Sequence, residues 1–323
     1  MPSARAISLW LFAALIAAAC AFHLGPAALA GLFAYMILDL AHRPLSRLLP
    51  NAAARWLSIL LFLIAAAGIG RLFVRFLSLA AVRMPLIASS VIPMLSKWAQ
   101  AHGLELPFGN LQELHAVLLR VVKENAKSIT IEGGLLTKSF FYVLLAVFVA
   151  IGKFLPEAPA PARPPSLFSA VLEELRKRVG LFMNSYEKVL GAQVVISLAN
   201  AAITAVFIAL AGIPYIQFLT LSTFLLGVIP IVGNLAANLL IVGAALTQGP
   251  ELALVALAFL FVSHKAQYLL VGRIIGSTLK TPMWAMLLGI LAGEIVLGLP
   301  GIILAPALMH YAREELSALP PPQ

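Results

Sequence analysis

Long apolar runs broken by short polar or basic clusters dominate this chain and predict a bundle of membrane helices. Runs at 7–22 and 26–41, turning at His23-Leu24-Gly25-Pro26, predict a short helical hairpin. The loop after it carries His42, Arg43, Arg47 and Arg55, which the positive-inside rule assigns to the cytoplasm. A third run covers about 56–80 and a fourth about 138–155. A fifth, at about 189–211, closes at Gly212-Ile213-Pro214. Between the third and fourth the pattern changes. Leu111, Leu114, Val117, Leu118, Val121 and Val122 recur at helical spacing between Gln112, Glu113, Arg120, Lys123 and Glu124. That period predicts that 82–136 holds an amphipathic surface helix rather than a span.

Two apolar stretches near the C-terminus are broken at their centres. Residues 215–247 carry Gly227, Pro230 and Gly233; residues 283–312 carry Gly298, Pro300 and Gly301. Proline removes an amide donor and glycine loosens a helix, so each break frees backbone groups that hydrocarbon cannot satisfy. Such breaks must be buried in protein or line a wet cavity, and paired broken segments point to a transport site. If each is a single span, eight crossings result and the 263–282 loop, with Lys265, Arg273 and Lys280, lies outside. If each is a re-entrant hairpin with arms of ~15 residues, or ~22 Å, that basic loop falls inside as the rule prefers. Arg71, Arg75 and Arg83, near the outer end of the third run, fit neither scheme.

Composition agrees with a membrane protein. Of 323 residues, 62% are hydrophobic and 11% charged, which excludes an ordinary soluble domain. The net charge of +9 comes from basic residues flanking apolar runs, so it reads as membrane anchoring and not as nucleic-acid binding. The one cysteine, Cys20, allows no disulfide within the chain, and the first run reads as an uncleaved span. A proline-rich linker, EAPAPARPPS, precedes Glu173, Glu174, Arg176, Lys177 and Arg178, a basic helix expected in the cytoplasm.

Candidate chemistry is sparse. Glu294 lies well inside an apolar run, where a carboxylate is costly unless paired or protonated; it is the candidate proton or cation site. Gln193 and Asn200, seven apart, share one helical face, and Asn234 and Asn238 follow the first break. These amides suit either a small polar solute or sodium ion, or hydrogen bonding between helices. Gln267, Tyr268 and Arg273 in the basic loop could attract an anion or act as interfacial anchors. The six histidines show no metal-ligand spacing, and no cofactor is expected. HExxH, GxSxG and Walker motifs are absent, and Asp39 is the only aspartate, too few for an aspartyl protease. The chain is not expected to be an enzyme, and any pumping would draw on an ion gradient.

From about residue 186 onward the chain resembles the AI-2E family of membrane transporters. The resemblance rests on Gly191-Ala-Gln193, Gly212-Ile-Pro214, Ile229-Pro230-Ile-Val-Gly233, Arg273-Ile-Ile-Gly276 with Pro282, and Gly293-Glu294, Gly298, Gly301 and Leu304-Ala305-Pro306. The chain departs from the family pattern at Gly272 (usually proline), at Ala266-Gln267 (usually an acidic-polar pair) and at Asn234 (usually proline). The family includes an exporter of the quorum-sensing signal autoinducer-2 and members described as sodium/proton antiporters. The resemblance implies a homo-oligomer in a bacterial inner membrane, with a small solute or monovalent cation as cargo.

The expected fold is all-α and polytopic. Residues 1–155 are expected as scaffold, 156–185 as cytoplasmic linker, 186–312 as a transport unit whose hairpin tips meet near the midplane, and 313–323 as a tail. The alternative function is a membrane scaffold acting through 82–136.

Overall fold

The computed structural model describes residues 3–103, 112–113, 126–155, 166–274 and 283–317, with backbone alone for 126–139, 266–274 and 283. Every regular element among them is a helix: α1 Ala4–Ala21, α2 Gly25–Leu48, α3 Asn51–Ala101, α4 Ala126–Phe154, α5 Leu167–Leu210, α6 Ile216–Gly227, α7 Val232–Leu246, α8 Pro250–Ile274, α9 Met283–Leu297 and α10 Leu299–Ser317. α1, α2, α3 and α5 are long and apolar enough to cross a membrane.

Two compact units emerge. One comprises Met1–Gly68, Leu136–Gly191 and Leu279–Gln323, the other Ile69–Leu135 and Ala192–Thr278.

In the first unit, Ser3 caps α1 by accepting from the Ala6 amide at 3.3 Å. His23, at φ 53°, makes the turn into α2. Ala34 and Leu38 of α2 pack with Ile59 and Phe62 of α3 and Ala150 and Phe154 of α4. At Gly31 a side chain would come within 3.3 Å of Ala146, so α2 and α4 approach closely. α9 and α10 pack against one another. The first half of α5 carries Arg178 against Ser8 of α1, Phe182 against Tyr311 of α10, and Glu187 against Arg43 of α2. Those contacts fall at the start of α1 and toward the ends of α10 and α2, all on the side of the basic loops. This half of α5 therefore lies across that side of the unit.

In the second unit, Ile87 of α3, Ile208 and Ile213 around the end of α5, Phe218 and Leu219 of α6, Ile241 of α7 and Ala256 of α8 form one core. Phe207 stacks on Phe259 with ring centroids 3.8 Å apart and nearly parallel planes. Phe76 of α3 stacks on Phe218 at 6.2 Å.

Two expectations need correction. Residues 82–101 are not part of a separate surface segment, because α3 runs unbroken for 51 residues through Pro85 and Pro93. The rest of the expected 82–136 helix, including Leu111, Leu114 and Val117–Val122, lies outside the described residues, and 126–136 belongs to α4. The basic stretch at 173–178 is not a helix of its own either; it is continuous with the fifth span in a helix of 44 residues.

Candidate functional site

The first broken segment is a helical hairpin. α6 has 12 residues and α7 has 15, so the arms measure ~18 and ~22 Å, each short of ~30 Å of hydrocarbon. They pack against one another. Between them Ile231 has φ 64° and ψ −68°, and the Val232 amide donates to the Pro230 carbonyl at 2.7 Å. This is a γ-turn of the strained hand, centred on a β-branched residue. A side chain at Gly233 would fall 1.7 Å from the Leu226 carbonyl oxygen, so only glycine lets the arms close. The spacing Ile229-Pro230-x-x-Gly233 is thereby explained: proline ends one helix and glycine permits its partner to return.

α5 supplies the polar groups that this break needs. Gln193, Ser197, Asn200 and Thr204 recur at intervals of four, three and four, on one face. Ser197, Asn200 and Thr204 are buried. Gln193 Nε2 donates to the Gly227 carbonyl at 2.7 Å. Ser197 Oγ donates to the Phe224 carbonyl at 2.5 Å. Two carbonyls left over at the end of α6 are therefore satisfied by side chains. Asn200 Oδ1 accepts a long 3.5 Å contact from Ser263 of α8. Asn234 Oδ1 lies 3.3 Å from where a side chain at Gly227 would project, beside the break. Asn238 follows one turn later, half-buried.

The open end of this hairpin explains two misfit arginines. Arg75 Nη2 donates to Gln217 Oε1 at 3.3 Å, and the Arg83 guanidinium lies 5.1 Å above the Tyr215 ring. Tyr215 is left-handed, at φ 68°, where the chain turns into α6. Arg71 is twenty residues beyond the start of α3, a rise of ~30 Å along the helix.

The second broken segment lies in the other unit. Gly298, at φ 66°, breaks the helix, and its amide donates to the Glu294 carbonyl at 2.7 Å. Pro300 follows at the second position of α10, where a missing amide costs nothing. Side chains at Gly301 and Gly293 would come 1.8 Å and 2.6 Å from each other's carbonyl oxygens. The break also touches α2: a side chain at Gly25 would lie 3.1 Å from the Leu297 carbonyl oxygen and 3.2 Å from Pro300. This tip therefore sits level with the α1–α2 turn. Glu294 is exposed on α9 beside Leu291 and Ile295, and makes no ion pair among the described residues.

Of the other candidates, Gln267, Tyr268 and Arg273 lie on the α8 backbone, their side chains outside the description. Lys265 rests 5.6 Å from the Phe261 ring centroid. Among the described residues no three His, Cys, Asp or Glu side chains group to hold a metal.

Sequence reasoning missed Ser197, although its place four residues after Gln193 marks the shared face. It also missed two ion-pair clusters of the first unit. Arg43 bonds both Asp39 and Glu187 at 2.6 Å. Buried Arg178 pairs with Glu315 and donates to Ser8 Oγ at 3.0 Å and to the Arg5 carbonyl at 3.2 Å. Nearby, His310 Nδ1 lies 3.0 Å from Ser185 Oγ.

A family model described as AI-2E family transporter matches residues 6–320, nearly the whole chain. The chain belongs to the AI-2E transporter family. Membership makes this a membrane protein with a role in transport. The match takes in α1–α4 as well, where only the layout of segments had pointed to the family. No curated relative matches the chain.

Proposed function

We propose that this AI-2E family member carries a small polar solute or signalling molecule, or exchanges sodium for protons, across a bacterial inner membrane by alternating access. One observation carries the reading: at 228–231 the backbone leaves the helix in a strained turn between arms too short to cross, and the Gly227 and Phe224 carbonyls just before it are held by Gln193 and Ser197. Irregular backbone at membrane depth is costly and belongs where it lines a wet cavity.

In this reading both broken segments are re-entrant hairpins. Gln193 and Ser197 hold the first break open, while Asn200, Asn234 and Asn238 offer neutral donors and acceptors to a solute. Pro230, Gly233, Gly298, Pro300 and Gly301 shape the two tips. Glu294 binds the proton or cation, and Gln267 and Arg273 sit at the cytoplasmic mouth. Residues 1–155 act as scaffold and 186–312 as the moving unit, within a homo-oligomer. Reconstitution tests it: purified protein in liposomes should move sodium, protons or a small signalling molecule under an imposed gradient. Liposomes tight to all three, with correctly folded protein, would instead support a non-transporting scaffold.

A further inference from the structure

In the second unit, the seam between α3 and the open end of the first hairpin gathers cations that no carboxylate answers. Arg75 donates to Gln217 and Arg83 lies over the Tyr215 ring, so both guanidiniums are held at the start of α6. Arg71, one turn before Arg75, is exposed. None of the three is in an ion pair among the described residues. Glu113 and Glu251, the described carboxylates of this unit, therefore pair with none of them. We propose that these arginines bind the phosphate of one anionic phospholipid, whose acyl chains lie along the exposed face of α3.

The helix sorts its side chains by face. Phe76, Leu79 and Ile87 pack into the core around the hairpin. Arg71, Val74, Arg75, Ser78 and Val82 follow at intervals of three, one, three and four, which sets them on another face. Val74 is 65% exposed and Val82 58%. Phe73 and Leu77, beside them, are exposed as well. Bare apolar side chains therefore alternate with guanidiniums over little more than three turns. Water would leave the apolar groups uncovered, and hydrocarbon alone would strand the arginines. A molecule that is apolar along its length and anionic at one end satisfies both. Arginine does this in membrane helices by laying its stem along apolar surface and sending its head to the interface.

Charge complementarity selects the headgroup. The planar fork of arginine matches phosphate oxygens in pairs. Arg75 spends a single N–H on Gln217 and keeps the rest of its donors. Arg83 has one face of its guanidinium against Tyr215, and its N–H groups lie around the edge. A zwitterionic headgroup brings its own cation to three arginines that already lack counterions, whereas an anionic one brings only negative charge. Nothing in this depends on transport: a chain in a bilayer suffices, and family membership makes it a membrane protein.

A reporter on the same face tests this. Ser78→Cys in a Cys20→Ala background, labelled with a small fluorophore, is reconstituted as the full chain in phosphatidylcholine vesicles. Spin-labelled phosphatidylglycerol or spin-labelled phosphatidylcholine is then added at equal mole fraction. The phosphatidylglycerol should quench more strongly. Arg71→Gln, at a side chain that holds nothing in the fold, should lower that preference about fivefold. Arg75→Gln with Arg83→Gln should abolish it, while Arg47→Gln with Arg55→Gln, in the basic loop after α2, should leave it unchanged. Equal quenching by the two lipids in the parent would overturn the proposal. So would a preference that survives loss of the three arginines, or one that the Arg47 and Arg55 substitutions remove as well. A preference erased by millimolar inorganic phosphate would show a free-anion site instead. Quenching by neither lipid, with unlabelled chains forming a Ser78→Cys disulfide to one another, would show a second copy covering this face and would equally overturn it.

Discussion

Gln193 and Gly227, 34 residues apart in sequence, are joined by a 2.7 Å hydrogen bond from the side-chain amide to the backbone carbonyl. The bond sits where α6 ends and the chain leaves the helix, so it satisfies a carbonyl that α6 itself no longer reaches. Gln193→Leu keeps the volume and removes the donor. An orphaned buried acceptor costs about 1–3 kcal/mol, and the thermal unfolding midpoint in detergent should fall accordingly. Gln217→Leu, at an exposed position, should leave that midpoint nearly unchanged.

The two hairpins stand or fall with single glycines. Gly233→Ala and Gly301→Ala each force a methyl to within 1.8 Å of a carbonyl oxygen on the facing helix or turn. Backbone cannot yield as a flexible side chain does, so both variants should lose about 3 kcal/mol or more, or fail to assemble. Gly68→Ala and Gly70→Ala meet nothing within 4 Å and should express and elute as the parent does. Size-exclusion profiles of the four variants decide the matter.

Breaks at 227–233 and 298–301 were legible because proline and glycine act locally, and the family-wide spacing was legible for the same reason. Arg75 and Arg83 were not. Their partners Gln217 and Tyr215 lie more than a hundred residues away, and no local rule pairs them. The same holds for Arg178 with Glu315 and Ser8, whose charges looked like a solvated basic face until folding buried the guanidinium. The stretch 82–101 misled for another reason. The amphipathic period that set 82–136 apart lies at 111–124, well beyond this stretch, and α3 continues through 82–101 despite Pro85 and Pro93, each of which removes only one amide.

Topology has a test that is independent of where the membrane lies. The second tip contacts Gly25, so Phe22→Cys and Leu299→Cys should report one depth. In a Cys20→Ala background, a membrane-impermeant maleimide should label both positions or neither. Thr281→Cys, outside the described residues, should label from the cytoplasm if the broken segments are re-entrant and from the outside if they are spans.

Two ion-pair clusters should differ in worth because they differ in burial. The Arg43 side chain is 53% exposed, and pairs of that kind contribute about 1 kcal/mol or less. Arg178 is 4% exposed. Its removal strands Glu315 and should cost about 3–5 kcal/mol. Thermal unfolding of Arg43→Gln and Arg178→Gln should show the second far less stable; equal shifts would contradict the assignment.

The most direct measurement is the initial rate of gradient-driven flux in liposomes carrying matched amounts of wild type and Glu294→Gln. If the second hairpin carries the coupling charge, wild type transports and the variant, assembled normally, shows no proton- or sodium-dependent flux. Undiminished flux through Glu294→Gln would contradict the account and remove this carboxylate from the mechanism.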